Sequence, residues 1–150
     1  MYNKPIVPDT FQIPLIKRTS RCVFRPLTIR DVTRDFDAVI SSREYLIDHF
    51  KPETSWPNGL TIEQNLIDLG WHEYEFQSHT SFAYTITDLT DEITLGCCYI
   101  YPSQLDEHEV SVSYWVRSSE LNNGLSQHVA EALQLSLIHI SEPTRRTPIS

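Results

Sequence analysis

The residues best placed for chemistry lie between positions 108 and 126. From Glu109 to Arg117, Val110, Val112, Tyr114 and Val116 alternate with Glu109, Ser111, Ser113 and Trp115, the two-residue period of a strand with two distinct faces. The run continues as Arg117-Ser-Ser-Glu-Leu-Asn-Asn-Gly-Leu-Ser126, and then as Gln127 to Leu133, which is rich in helix formers. A strand that enters a helix through a polar loop with one glycine points several backbone N–H groups and the positive end of a helix dipole at one spot. Such a spot suits a pyrophosphate. At the other end of the strand, His108 and Glu109 belong to the acidic turn Asp106-Glu-His-Glu109. Glu109 is the first candidate for a general base, acting directly or through water, with His108 second. The alternative is that both are simply solvated members of the turn.

Other reactive side chains have weaker patterns. His72, Glu75 and His79 share a helix face, so a metal site is conceivable, but His-Glu-Tyr-Glu-Phe is not a His-Glu-x-x-His motif and no metal is expected. Cys97 could be a nucleophile, but no base stands beside it in sequence, and a buried small hydrophobe is the expectation. Trp56, Trp71 and Trp115 are expected in the core or in pocket walls.

These candidates sit in a chain of 150 residues with 40% hydrophobic and 21% charged side chains, the range of one globular domain. The net charge of −8 excludes phosphate-backbone binding as a main activity, so nucleic acid is not an expected partner. No apolar run approaches the length of a membrane span, so no membrane partner is expected either. Three cysteines are an odd count, and Cys97 and Cys98 are adjacent in one strand with side chains on opposite faces, which predicts a reduced, cytoplasmic setting.

Residues 1–20, with Pro5, Pro8 and Pro14, read as an extended arm over the domain. A first strand from Cys22 to Thr28 is kept near an edge by Pro26. Thr28 and Asp31 cap a helix predicted to run to about Phe50, with Val32, Phe36, Val39 and Ile40 as its apolar face. Pro52, Pro57 and Gly59 mark a loop, and Thr61 with Gln64 opens a second helix to about Ser78, with Ile62, Leu66, Leu69 and Phe76 at helical spacing. Three strands follow, Phe82 to Thr87, Ile93 to Tyr101 and Glu109 to Arg117, the first two forming a hairpin around Asp88 to Glu92.

Strand, two helices, three strands and a glycine loop that opens a helix is an order that resembles the first part of the GNAT superfamily of acyl-CoA-dependent N-acyltransferases, over Cys22 to Leu133. The resemblance implies an α/β (α+β) fold with a mixed, mainly antiparallel sheet and helices on both faces. It implies acetyl-CoA or another acyl-CoA as co-substrate, and a small-molecule or peptide amine as acceptor. Tyr114, Trp115 and Val116 would face the pantetheine arm, with the amide near Val116 as an oxyanion donor, and Leu121, Asn122, Asn123, Gly124, Leu125 and Ser126 would form the pyrophosphate loop. Two positions depart from the family pattern: Leu121 stands where Arg or Gln is usual, and Ser126 where Gly or Ala is usual. A GNAT-like acyl-CoA-binding or regulatory module without catalysis is the alternative that Leu121 supports.

From Leu135 the chain reads Leu-Ser-Leu-Ile-His-Ile-Ser-Glu-Pro-Thr-Arg145, which resembles the in-frame translation of a transposase sequencing adapter, and 146–150 fit its downstream parts. The alternative is an apolar strand with a polar terminus. On the adapter reading, 21–134 is a partial domain truncated before the family's next strand, 135–150 is a non-native tail, and Glu109 to Arg117 has a bare edge. The expectation is then that the complete parent is the acyltransferase and the 150 residues alone are inactive.

Overall fold

Thr28 closes the first extended run and opens the helical layer. In a computed structural model of the chain, which describes residues 2, 4–7, 12–103, 105, 109–140 and 145–149, the Thr28 hydroxyl accepts the Arg30 amide. The Asp31 carboxylate accepts the Thr28 amide at 3.0 Å, completing the capping box. A 3-10 turn, Ile29–Asp31, then leads into α1 (Val32–Ser41) and α2 (Arg43–Phe50). The sequence predicts one helix here, and the structure breaks it at Ser42, whose φ of −115° and ψ of 13° are not helical. A distant partner accounts for the break. The Ser42 hydroxyl accepts the Ser118 amide at 2.8 Å, while the Arg117 guanidinium donates to Asp37 and to the Ser41 hydroxyl.

The next helix, α3 (Ile62–Gln77), starts on the predicted Thr61–Gln64 capping box. Its buried face differs from the apolar pattern. Ile62 and Leu66 are exposed, and the inward side carries Asn65 and Leu69, continuing to Glu75 and Phe76. In α1 the fully inward residues are likewise Asp35, Ala38 and Val39. A polar residue occupies the inward face of each helix because the two meet there: Asn65 Nδ2 donates to Asp35 Oδ2 at 2.9 Å.

One sheet runs in the order β1 (Lys17–Arg18), β2 (Val23–Pro26), β3 (Phe82–Thr87), β4 (Thr94–Pro102), β5 (Glu109–Val116) and β6 (Arg145–Ile149). Strands β1 to β5 are antiparallel, and β6 pairs parallel to β5. The β3–β4 hairpin forms as predicted, with Asp88 Oδ1 accepting the amides of Glu92 and Ile93 at 2.8 and 3.0 Å. Asp91 in the same turn pairs with Arg25 and Arg34, so the turn is clamped to β2 and to α1. Of the described residues in the predicted arm, Lys17–Arg18 form β1, the Ile6 amide donates to the His79 carbonyl, the Pro14 carbonyl accepts the Tyr84 hydroxyl, and Val7 is buried.

Residues 135–140 continue α4 (Leu125–Ile140) instead of forming a strand. The edge of β5 that the sequence leaves bare is paired over Glu109–Val112 by β6. An edge strand presents a row of N–H and C=O groups that any extended segment can satisfy. Beyond the register pair Val112–Ile149, the Ser113–Val116 half of β5 has no strand neighbour on that side among the described residues.

The sheet separates two cores. One holds Cys98, Val112 and Val116 with Leu125 and Val129 of α4, and the other holds Cys97, Tyr99 and Trp115 with Ala38, Leu46 and Leu69 of α1 to α3. Helices therefore cover both faces, as predicted. The alternation on β5 holds, and so does the opposed pair Cys97 and Cys98.

At Gly96 the backbones of β4 and β5 come so close that a methyl group would collide with the Trp115 carbonyl oxygen and crowd the Val116 Cα at 3.0 Å. Backbone cannot step aside as a side chain can. Gly96→Ala is therefore expected to destabilise the domain by about 3 kcal/mol, read as a lowered denaturation midpoint with an unchanged slope in urea. A midpoint equal to that of the wild type would show that the β4–β5 spacing adjusts freely.

Candidate active site

Val116 delivers the chain into the polar loop, and the loop is held open by its own residues. Asn123 Oδ1 accepts the Leu125 amide at 3.1 Å, capping α4, and Asn123 Nδ2 donates to Glu120. Leu121, Asn122, Asn123 and Gly124 are exposed, Leu125 is buried in the core under α4, and Ser126 is half-buried. Gly124 has φ +82°, a left-handed conformation that costs a side-chain-bearing residue free energy. Tyr114 reaches the same end of the strand, its hydroxyl 3.4 Å from Ser126 Oγ.

The sequence pattern missed the neighbours of this loop. A methyl group on Gly124 would lie 3.5 Å from Nη1 of Arg21. Two residues before Arg21, the Thr19 hydroxyl lies 2.8 Å from Nε2 of His128 on α4, across a sequence separation of 109. An exposed guanidinium therefore stands beside the loop in which Leu121 lacks a donor. The Leu125 amide is taken by Asn123 Oδ1 and the Leu121 amide by the Ser118 carbonyl, so the donors an anion could meet at this loop would be the remaining amides and Arg21.

On the opposite face of the sheet, α1 and α3 leave a cleft against β4 and β5. An inner cavity of about 300 Å³ is lined by Asp35, Trp56, Asp68, His72, Tyr99, Tyr101 and Ser113, among others. A second cavity of about 460 Å³ shares Asp68, His72 and Tyr101 with it and adds Tyr2, Trp71 and Glu75. Ser113 brings β5 into the wall of the inner cavity, so the strand that feeds the polar loop also borders the cleft.

Burial sets the protonation of the cleft. Asp35 is pushed above the usual carboxylate range by loss of solvent, against hydrogen bonds from Asn65 and from Cys97 Sγ at 3.3 Å. Burial also raises Asp68 and the phenols of Tyr99 and Tyr101. The Tyr99 hydroxyl accepts the Trp115 indole N–H at 3.0 Å. Burial lowers His72 below its ordinary value, against an opposing pull from Glu75. Its Nδ1 is buried and has no hydrogen-bond partner among the described residues, so protonation would bury an N–H with no described acceptor.

Of the proton-transfer candidates, His108 lies outside the described residues, and Glu109 is placed only by its backbone, at the start of β5. Trp115 is buried in the core below the cleft, with its ring 6.2 Å from that of Trp56. Glu75 is bound to the Tyr2 amide at 2.7 Å and to the Ser81 hydroxyl at 3.0 Å. Among the described residues no group of three or more His, Cys, Asp or Glu side chains is placed to hold a metal ion, and no helix is long and apolar enough to cross a membrane.

No family model and no curated protein sequence matches the chain. Solved structures do. The chain is similar to RimL, the ribosomal L7/L12 alpha-N-protein acetyltransferase in complex with coenzyme A, with a TM-score of 0.68 and 15% identity over 83% of this chain and 67% of that one. It is similar to the ribosomal-protein-S5-alanine acetyltransferase from Vibrio fischeri, with a TM-score of 0.69 and 13% identity over 87% of this chain and 70% of the other. A third is the microcin C7 self-immunity acetyltransferase MccE in complex with acetyl-CoA and AMP, with a TM-score of 0.68 and 9% identity over 87% and 68%. At these identities the likeness is one of fold, and the fold is that of GNAT acetyltransferases.

Cys22, Cys97 and Cys98 are all free and buried, and burial raises all three thiols, Cys98 to about 12. None is a thiolate at neutral pH, which removes Cys97 as a ready nucleophile. At pH 8 the native protein is expected to react with an aromatic disulfide reagent at least about a hundredfold more slowly than the urea-denatured chain. A fast, stoichiometric native reaction would contradict the burial.

Proposed function

We propose that the protein to which this chain belongs is an acyl-CoA-dependent N-acyltransferase. The observation that carries the reading is that two sites of different chemistry meet on β5: Ser113 lines the acidic, aromatic cleft, and Val116, on the same strand, leads into the loop at Gly124. An anion-binding loop and an amine-sized cleft on one strand place a donor and an acceptor in reach of each other. The acetyltransferase fold supports the same reading, and the Ser113–Val116 edge, which has no strand neighbour on that side among the described residues, suits the amide groups of a pantetheine arm. Tyr114, Trp115 and Val116 would then hold the donor by backbone, and residues 121–126 its pyrophosphate, with Arg21 taking the role that Leu121 does not fill. Acyl-CoA is the co-substrate, an amine the acceptor, and a reducing cytoplasmic compartment the setting.

Glu109 is the proposed base, taking a proton from the acceptor ammonium so that the neutral nitrogen can attack the thioester carbonyl. A non-catalytic acyl-CoA-binding module is the second reading, favoured by the exposed Leu121 in the loop.

Calorimetric titration with CoA tests the donor site. Gly124→Val forces a branched side chain into a left-handed position and is expected to weaken CoA binding by about tenfold or more. Arg21→Ala is expected to weaken it by about fivefold, with a shallower salt dependence. Unchanged affinity in both variants would remove the loop from the site.

Turnover by the complete parent protein separates the two readings. Glu109→Gln is expected to lower kcat by about a hundredfold and leave CoA affinity intact, since only proton transfer is lost. CoA binding without thiol release for any amine would favour the binding module, and equal rates across the pH range would take Glu109 out of the mechanism.

A further inference from the structure

The acyltransferase reading leaves the acceptor open, and the cleft narrows it; the inference below rests on that reading. Three carboxylates line the two cavities, with no lysine or arginine among the lining residues. Two of them are already occupied, Asp35 by Asn65 and Cys97, and Glu75 by Tyr2 and Ser81. The third, Asp68, has no hydrogen bond or ion pair among the described residues, is half-buried, and lines both cavities at their junction. Around it stand rings: Tyr101 stacks on Tyr99 with centroids 5.7 Å apart, Tyr2 lies 5.2 Å from Tyr101, and His72 lies 5.5 Å from Tyr99. His72 is kept neutral by its buried, unpartnered Nδ1 and adds no positive charge.

A half-desolvated carboxylate without a partner raises the free energy of the empty cleft, and an arriving cation removes that cost. Aromatic faces attract the same cation. A guanidinium or ammonium of the protein itself would have cancelled the effect, and among the described residues none lines the cleft. The inner cavity of about 300 Å³ lies at the small end of ligand pockets and suits a short, unbranched molecule.

We propose that the acceptor is a small aliphatic diamine, whose distal ammonium is held by Asp68 against the rings of Tyr101 and its neighbours while its other amine is presented to β5 at Ser113. The presented ammonium loses one proton to the base, the neutral nitrogen attacks the thioester carbonyl, and the tetrahedral adduct loses its second N–H proton as it collapses, which supplies the proton that the thiolate takes up. A C–N bond forms, the C–S bond breaks, and the sulfur leaves as CoA thiolate and is protonated. The products are a mono-acylated diamine that keeps one positive charge, and free CoA.

Trp56 and Trp71 line the two cavities, so their fluorescence reports occupancy without any turnover. The probes are diaminobutane and butylamine, which share a carbon chain and differ in the second charge, together with a short peptide bearing an N-terminal serine and no lysine. Diaminobutane is expected to bind at least about tenfold more tightly than butylamine, with the preference falling as salt rises, and to lead it by a similar factor in kcat/KM with acetyl-CoA. Asp68→Asn should collapse both ratios toward one, with its melting temperature checked to exclude unfolding. Equal binding of the two amines, a preference retained in Asp68→Asn, or faster acylation of the peptide than of any diamine would overturn the proposal. A diamine preference in binding that depends on Asp68, with no CoA release for any amine, would uphold the cation site and overturn the acyltransferase reading instead.

Discussion

Asp35 has almost no contact with solvent, and the way its carboxyl group is satisfied fixes how the helices sit on the sheet. Its two oxygens accept from Asn65 of α3 and from Cys97 of β4, so three elements converge on one side chain. Hydrogen bonds in so dry a place are costly to break, because each would leave a polar atom with nothing to replace its partner. The consequence is a fixed gap between α1, α3 and the sheet. Asp35 and Asn65 both line the cleft, so this contact forms part of its wall.

The two faces of the sheet carry different duties because β5 alternates so strictly. Val112 and Val116 look toward α4 and build the floor under the polar loop, while Trp115 looks the other way, under the cleft. Its indole N–H fixes the Tyr99 hydroxyl, and Tyr99 in turn stacks on Tyr101. An ordered aromatic wall of this kind loses little conformational freedom when a ligand arrives, since its rotamers are already chosen.

Much of this was legible in the amino-acid order. Both helix starts were written in Thr28 with Asp31 and in Thr61 with Gln64, because a capping box is a local device whose partners are three residues apart. The strands followed from alternation, and the loop at Gly124 from its position between a strand and helix formers. The break at Ser42 was not legible, since its cause is the amide of Ser118, at a sequence separation of 76. The cleft was hidden for a related reason. Periodicity ranks apolar residues as inward, whereas the inward positions of α1 and α3 that matter here are Asp35 and Asn65, which look like surface residues until they find each other. Arg21 gave no signal at all; only the fold sets it beside Gly124.

The tie between Ser118 and Ser42 also links regions that would otherwise act apart. Ser118 lies at the entry to the polar loop, and Ser42 is the joint between α1 and α2. At its far end α2 carries Phe50, which lines the inner cavity. A ligand that draws the loop tighter would therefore pull on the joint and shift the wall of the cleft, and by thermodynamic reciprocity whatever fills the cleft would alter affinity at the loop by the same factor. Such coupling would act in either order of binding, so each ligand, once seated, would tune the affinity for the other.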